Sequence, residues 1–217
     1  MRTVLLTAFA VCLFSTAVVA QETTPPPATP APAAEAPPAP PPGNPPMTGP
    51  KVLISTSMGD ITLQLDEAHA PLTVRNFIRY ARERHFDGTC IYRVAKGFVA
   101  QMGSFDAHGQ GRGVHDGIVS EANNGLKNLK GTVAMAHGDG PTSTQAEFFI
   151  NLADNAALDH DPADTTNKTG FTVFAQVVGG MDVVDKISDV PVGDGGPMAG
   201  TVFPTTPIII NRVSILP

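Results

Sequence analysis

Residues 91–101 read Ile91-Tyr92-Arg93-Val94-Ala95-Lys96-Gly97-Phe98-Val99-Ala100-Gln101. The stretch consists of two short β-patterned runs joined at a glycine. The first run carries an arginine and the second carries a phenylalanine and an amide, and neither offers a nucleophile or paired carboxylates. A guanidinium presents its donors in a fixed planar fork. Beside an apolar pocket, such a group suits chemistry that polarises one carbonyl or amide without breaking a bond.

The first 20 residues have the pattern of a secretory signal peptide. Arg2 precedes an apolar run from Val4 to Phe14, and small residues end the segment at Ala20. We expect cleavage after Ala20 and export to the periplasm or the medium. One alternative is a membrane anchor, for which the run is shorter than the roughly 20 residues of a spanning helix. Another is a lipoprotein signal at Cys12, whose flanking residues match poorly.

Residues 21–50 form a proline-rich segment. They hold 13 of the 21 prolines of the chain, mixed with alanine and threonine. Such a composition supplies few backbone donors and little apolar surface, which predicts an extended, disordered linker that spaces the domain and does not fold. A role as a proline-rich ligand is the alternative.

Residues 51–217 are long enough for one domain with its own core. They carry 13 basic and 18 acidic residues without a run of Lys and Arg, which argues against nucleic-acid binding. After signal cleavage Cys90 is the single cysteine, so no internal disulfide can form, and its strand-like neighbours favour burial. No further segment is apolar enough to span a membrane. Nothing demands assembly, and we expect a monomer.

The hydrophobic pattern of this region predicts many short strands and two helices. Alternating residues from Val52 to Leu65, with a turn at Met58-Gly59-Asp60, predict an antiparallel hairpin. Apolar residues recur with helical spacing after Pro71 and again after Gly180. Further strand-like runs cover residues 89–95, 97–102, 131–136, 147–152, 171–178 and 207–216. This order favours a mainly β fold, a closed antiparallel barrel with two helices.

Arg93 is the residue that could carry chemistry. If it lies beside Phe98 and Phe149 in one depression, the apolar groups can hold a proline ring while the guanidinium meets the adjacent amide. The peptide bond has a rotation barrier of about 18–20 kcal/mol because the nitrogen lone pair is delocalised. A donor aimed at the imide nitrogen favours the twisted state, in which that lone pair is localised. From spacing alone, a surface cation on a strand is the favoured interpretation of Arg93.

From Lys51 to Pro217 the chain resembles the cyclophilin-type peptidyl-prolyl isomerases, in particular the exported bacterial kind. The motifs that carry the resemblance occur in collinear order and cover essentially the whole region. They are Pro71-Leu72-Thr73-Val74-Arg75-Asn76-Phe77, Tyr92-Arg93-Val94, Gly97-Phe98, Gln101, Asn124-Gly125-Leu126, Gly131-Thr132-Val133-Ala134-Met135-Ala136, Phe148-Phe149-Ile150-Asn151, Leu158-Asp159, Val173-Phe174, Val177 and Gly180-Met181-Asp182-Val183-Val184-Asp185-Lys186-Ile187.

The resemblance implies an eight-stranded antiparallel barrel closed by two helices. It also implies isomerisation of X–Pro bonds in proline-containing polypeptides without a cofactor or metal. Carried over by position, Arg93 matches the essential arginine and Gln101 the amide that helps to hold it. The remaining matched positions are those that contact substrate: Phe98, Val99, Phe149, Leu158 and Phe171 around the proline pocket, Ala136 and His137 at the edge that pairs with the substrate backbone, and Tyr92 and Glu147 beside the arginine.

Several of these positions depart from the family pattern. Tyr92 replaces a usual histidine, Ala146-Glu147 replaces Ser-Gln, and Ala157 stands where a large aromatic side chain is common, which puts binding of cyclosporin-like macrocycles in doubt. Glu147 could form an ion pair with Arg93 or hold it in place. Two functions therefore follow: an isomerase that assists folding of exported proteins, or a catalytically weak module that binds proline-containing peptides as a chaperone or scaffold. A structural envelope protein that makes its main contact through the proline-rich segment is the third option.

Overall fold

A hairpin of two strands begins the folded region of the computed structural model, which describes residues 43–140, 142–163, 170–194 and 202–217. Strand β1 (Lys51–Thr56) pairs along its whole length with β2 (Gly59–Leu65). The hairpin was expected from the alternating residues of this segment and is confirmed. The turn lies at residues 57 and 58, slightly earlier than predicted. The predicted signal peptide, and the predicted linker up to residue 42, lie outside the described residues.

Six more strands close the hairpin into a barrel. In chain order they are β3 (Cys90–Ala95), β4 (Val99–Met102), β5 (Thr132–His137), β6 (Thr144–Asn151), β7 (Val173–Gly179) and β10 (Ile208–Ile215). Around the barrel the eight strands follow the order β1-β10-β3-β4-β6-β5-β7-β2, and every neighbouring pair is antiparallel. The predicted eight-stranded antiparallel barrel is confirmed. The short strands β8 (Val192–Gly193) and β9 (Phe203–Pro204) form a separate pair that the sequence pattern did not predict.

Two helices accompany the barrel, as predicted. Helix α1 (Pro71–Arg82) has proline at its first position, where the missing N–H costs no hydrogen bond. Helix α2 (Met181–Ser188) follows Gly180, whose φ of +80° suits glycine. Within the described residues, no helix is long and apolar enough to cross a membrane.

Helix α1 is anchored by an aromatic cluster in the main core. The ring centroid of Phe77 lies 5.2 Å from that of Phe86, 5.3 Å from that of Phe148 and 5.2 Å from that of Phe174. All four side chains are buried. Cys90 is also buried, as predicted, and burial raises the pKa of its thiol to about 11. A thiol with so high a pKa is unreactive at neutral pH.

Residues 43–50, here called the N-terminal segment, contact the barrel although the sequence analysis placed them in a linker that does not fold. The Asn44 side chain accepts a hydrogen bond from the Lys127 amide (2.7 Å) and donates one to the Lys127 carbonyl (2.9 Å). Met47 is buried. The Leu65 amide donates to the Pro50 carbonyl. The side-chain contacts come from Asn44 and Met47, two of the few residues in the segment that are neither proline nor glycine, so they are hidden in its average composition.

Candidate functional site

Strand register brings Arg93, Gln101 and Phe149 together on one face of the barrel. Arg93 of β3 is the register partner of Gln101 of β4, and Gln101 is the partner of Phe149 of β6. Phe149 is in turn opposite Ala134 of β5. Side chains of directly opposed residues lie side by side on the same face of a sheet. Residues far apart in sequence therefore form one row across four strands.

Residues of this face form an apolar cluster distinct from the main core, here called the hollow because it is the predicted proline pocket. Val99 and Phe149 are nearly buried and make its floor, together with Leu126, Ala134 and Val173. The partly exposed side chains that pack against this floor are Phe98, Ala136, Leu158 and Phe171. The predicted pocket residues Phe98, Val99, Ala136, Phe149, Leu158 and Phe171 are thus brought together. Met47 of the N-terminal segment belongs to the same cluster, which the sequence analysis did not anticipate.

The Arg93 guanidinium lies at the edge of this hollow. Its Cζ atom is 5.6 Å from the ring centroid of Phe98, a distance that allows a cation–π contact. Its Nη1 atom lies 3.4 Å from the Gln101 side-chain oxygen, a long hydrogen bond. The side chain is half-buried. No carboxylate of the described residues comes within 4 Å of it, so the fork is not consumed by an ion pair.

Glu147 is held by Tyr92 and Ser104, and Arg93 is not among its partners. The Tyr92 hydroxyl donates to one carboxylate oxygen (2.8 Å), and the Ser104 amide donates to the other (2.6 Å). Burial raises the pKa of Glu147, although the hydrogen bonds from Tyr92 and Ser104 act in the opposite direction. The direct Arg93 pair considered from the sequence is therefore not formed.

Tyr92 lies beneath the site, not on its surface. Its side chain has no exposed area, its ring packs edge-on against Phe105, and its hydroxyl accepts a hydrogen bond from the Gln101 side-chain nitrogen (2.6 Å). Burial, and then the neighbouring Glu147 charge, raise the pKa of the hydroxyl far above its usual value. Tyr92 was expected to contact substrate. That contact stays a prediction: Tyr92 borders a cavity beside His137, and its hydroxyl also holds the Gln101 amide.

A bulge explains how neighbouring residues reach the same glutamine. The register between β3 and β4 shifts between Ile91 and Arg93, which leaves Tyr92 as the extra residue. In a regular strand, consecutive side chains point to opposite faces. The bulge re-aims the chain locally, so that Tyr92 and Arg93 contact opposite ends of the Gln101 amide.

The rim of the hollow is fixed by a buried set of asparagines. Asn128 donates to the Leu158 carbonyl (3.0 Å), and Asn155 donates to the Phe98 carbonyl (2.9 Å). Asn151 joins the two through hydrogen bonds to both side chains. These contacts hold the 3₁₀ turn Ala156–Leu158, which directs Leu158 into the hollow and leaves Ala157 exposed. Asn151 occurs in a family motif, but the contacts of the three amides were not predicted, because Asn128 and Asn155 lie in loops, where asparagine is common.

His137 packs against Phe171, one of the partly exposed side chains of the hollow. Its ring stacks on Phe171 with centroids 4.7 Å apart, and its two nitrogens lie 2.8 Å from the Gly138 carbonyl oxygen and 2.9 Å from the Gly170 carbonyl oxygen. A cavity of about 250 Å³ lies beside His137, and its lining also includes Tyr92, Gln101, Phe105, Gln145 and Glu147. Within the described residues, no group of three or more His, Cys, Asp or Glu side chains is arranged to hold a metal ion.

Comparison with known proteins identifies the family. Residues 51–215 match the family described as "Cyclophilin type peptidyl-prolyl cis-trans isomerase/CLD". The chain is 41% identical over 169 residues to "Peptidyl-prolyl cis-trans isomerase A" of Dickeya dadantii, an alignment that covers 78% of this chain and 86% of the relative. It is 42% identical over 164 residues to "Peptidyl-prolyl cis-trans isomerase B" of Escherichia coli, covering 76% and 98%.

A solved structure shares the fold. The crystal structure of a cyclophilin-type isomerase from Cryptosporidium parvum superposes with a TM-score of 0.64 at 21% identity, covering 77% of this chain and 98% of the other. At that identity the likeness concerns the fold alone, but it agrees with the sequence matches. The chain therefore belongs to the cyclophilin-type peptidyl-prolyl cis-trans isomerase family and is an enzyme of that class.

Proposed function

We propose that Arg93 accelerates rotation of X–Pro bonds by donating a hydrogen bond to the prolyl imide while the neighbouring hollow holds the proline ring. The observation that carries this proposal is a half-buried guanidinium beside Phe98 with no carboxylate of the described chain within 4 Å. A donor that interacts more strongly with the twisted imide than with the planar one lowers the barrier. Each 1.4 kcal/mol of this difference is worth about tenfold in rate.

The other site residues take supporting roles. Val99 and Phe149 form an apolar floor for the ring, and Phe98, Leu158 and Phe171 form the walls. Gln101 holds one arm of the guanidinium through its side-chain oxygen. The backbone of Ala136 and His137 offers an edge to the substrate chain. No step requires a bond to break, so the machinery consists of positioned donors and a shaped surface.

The substrates we propose are unfolded or partly folded exported proteins that contain proline. Uncatalysed X–Pro isomerisation takes tens to hundreds of seconds, which is slow enough to limit folding. The export part of the proposal rests on the sequence of residues 1–20. It is tested by fusing residues 1–50 to a reporter enzyme that is active only after export. We expect the reporter to be active. Export would be contradicted if the reporter is inactive behind residues 1–50 but active when a leader of known export replaces them.

A refolding experiment separates catalysis from mere binding. The full-length chain is added in substoichiometric amount to an unfolded protein whose slow refolding phase is limited by prolyl isomerisation. We expect the slow phase to accelerate while its amplitude stays constant. The alternative function, a peptide-binding module without useful turnover, predicts that the rate is unchanged or that refolding is retarded as the amount of added chain approaches that of the substrate. The Glu147 carboxylate accepts hydrogen bonds from Tyr92 and Ser104 and so leaves Arg93 available. This supports catalysis over mere binding.

A further inference from the structure

A directional chain of hydrogen bonds links Glu147 to the guanidinium of Arg93. An ionised carboxylate only accepts hydrogen bonds, so the Tyr92 hydroxyl must donate its proton to Glu147. The oxygen lone pair of Tyr92 then faces Gln101, and the amide nitrogen of Gln101 must donate to it. The amide oxygen is left pointing to Arg93, which has donors only. Every link in this chain has one permitted direction.

We propose that Glu147 is a positioning residue for Arg93, acting through Tyr92 to fix which end of the Gln101 amide faces the guanidinium. This inference rests on the proposed role of Arg93. An amide has an acceptor end and a donor end of nearly identical shape, and only the acceptor end can hold a cation. Without a directing contact, the donor end can turn toward Arg93 and repel it.

The surroundings of the carboxylate are built to keep it in place. A buried charge is unfavourable unless donors surround it, and the Ser104 amide and Tyr92 hydroxyl supply them. The Ser104 amide approaches because residue 103 is glycine. A Cβ atom added to Gly103 would lie 2.7 Å from the Glu147 Cα atom and 2.9 Å from its carboxyl carbon. Ion pairing does not explain this carboxylate, since no cation of the described residues lies within 4 Å of it.

The lengths of the contacts indicate which link is strong. Gln101 is 2.6 Å from the Tyr92 hydroxyl but 3.4 Å from Arg93 Nη1. The glutamine is therefore anchored mainly by the tyrosine, and its oxygen is presented to the arginine without occupying the whole fork. This arrangement orients the guanidinium and leaves its remaining donors for substrate.

Protonation of Glu147 should reverse the chain. A neutral carboxyl can donate to Tyr92, whose hydroxyl is then free to donate to the Gln101 oxygen and turn the amide. The charged or titratable groups near this carboxyl are Tyr92, Arg93 and Cys90 on β3, His137 beside the adjoining cavity, and His85, which contacts Ser104. Because burial raises the pKa of Glu147, the reversal should begin above the usual titration range of glutamate.

The test uses single and combined variants of the full-length chain in a protease-free isomerisation assay. Tyr92→Phe keeps the buried ring and removes one hydroxyl, and Glu147→Gln keeps the volume and removes the charge. Each should lower kcat about five- to tenfold with little change in KM. The kcat of the double variant should be no lower than that of the less active single variant, because both substitutions break the same chain of hydrogen bonds. Glu83→Gln, at an exposed site on the end of α1, is the matched control and should behave as wild type.

Two further arms identify what fails if the result differs. In an Arg93→Ala background, adding Tyr92→Phe or Glu147→Gln should change nothing. The wild-type pH–rate profile should show an acidic limb that Glu147→Gln lacks. Full activity of both single variants, with Arg93→Ala inactive, would overturn the positioning role and leave the proposed function intact. An active Arg93→Ala variant would overturn the proposed function itself. Should Glu147→Gln not fold, Tyr92→Phe and its pH profile decide alone.

Discussion

Phe148 and Phe149 are neighbours in sequence but belong to different hydrophobic clusters. Phe148 packs in the main core against Phe77 of helix α1, with ring centroids 5.3 Å apart, whereas Phe149 belongs to the floor of the hollow beside Arg93. The two faces of strand β6 therefore belong to separate clusters, the main core and the proposed substrate site, as alternation along a barrel strand requires. This division makes the pair a direct test of the site assignment.

Leucine substitutions at the two positions should have different effects. Phe148→Leu should lower the free energy of unfolding by about 1 kcal/mol and leave kcat/KM of the folded protein unchanged. Phe149→Leu should have a similar effect on stability but also lower kcat/KM about fivefold, since the proline ring loses part of its floor. Denaturant unfolding and an isomerisation assay measure the two quantities. Equal kinetic effects at both positions would contradict the assignment of the hollow.

Met47 should contribute to both stability and substrate affinity although it lies in the proline-rich region. It is buried in the same cluster as Val99 and Phe149, and Asn44 attaches the segment to Lys127. Met47→Ala should lower the free energy of unfolding by about 2 kcal/mol and raise KM, because the floor loses packing from below. Leu72→Ala, at a side chain that is 41% exposed, is the control. A Met47→Ala variant with wild-type stability would show that the segment does not pack in solution.

Glu121 should stabilise helix α1 from a distant loop. Its carboxylate accepts hydrogen bonds from the amides of Leu72 (3.0 Å) and Thr73 (2.8 Å) and from the Thr73 hydroxyl (2.7 Å). These amides have no acceptor within the helix, because they lie in its first turn, at the positive end of its dipole. Glu121→Ala should therefore lower the free energy of unfolding by about 1–2 kcal/mol with kcat/KM unchanged. Glu67→Ala, at an exposed position before the helix, should have little effect. Equal loss in both variants would argue against this capping contact.

Glu147 should make stability depend on pH in a direction opposite to that of a salt-bridged carboxylate. Its pKa in the folded protein is raised, so between the unfolded value near 4.5 and the folded value the native state binds more protons than the unfolded state. Stability must then fall as pH rises through that window. The stability of wild type minus that of Glu147→Gln, measured by denaturant unfolding at several pH values, should decrease toward neutral pH. A difference that increases with pH would mean that the carboxylate is stabilised by its surroundings.

The sequence predicted the architecture well because strand and helix periodicity are local properties. The hairpin of β1 and β2, the start of α1 at Pro71 and the burial of Cys90 all follow from residue patterns within short windows. The site contacts could not be predicted in the same way. They depend on the register between strands and on the bulge at Tyr92, which no local pattern records.

The Glu147 contact shows the limit most clearly. The sequence placed a carboxylate near Arg93, and charge alone suggested a salt bridge. In the structure, that carboxylate accepts hydrogen bonds from the Tyr92 hydroxyl and the Ser104 amide, because the close approach of Gly103 brings the Ser104 amide to it. Likewise, the proline content of residues 43–50 concealed Asn44 and Met47, two of the residues that attach this segment to the domain.

The proposed role of the Arg93 guanidinium is to lower the barrier to prolyl rotation. It is tested most directly by NMR exchange spectroscopy on an X–Pro peptide, which reports binding and the cis–trans exchange rate in one sample. Arg93→Ala should still bind the peptide but accelerate exchange at least about 100-fold less than wild type, the effect of losing one positioned donor to a transition state. Arg75→Ala, an exposed arginine on α1, should match wild type. Undiminished exchange in the Arg93→Ala sample would contradict the account.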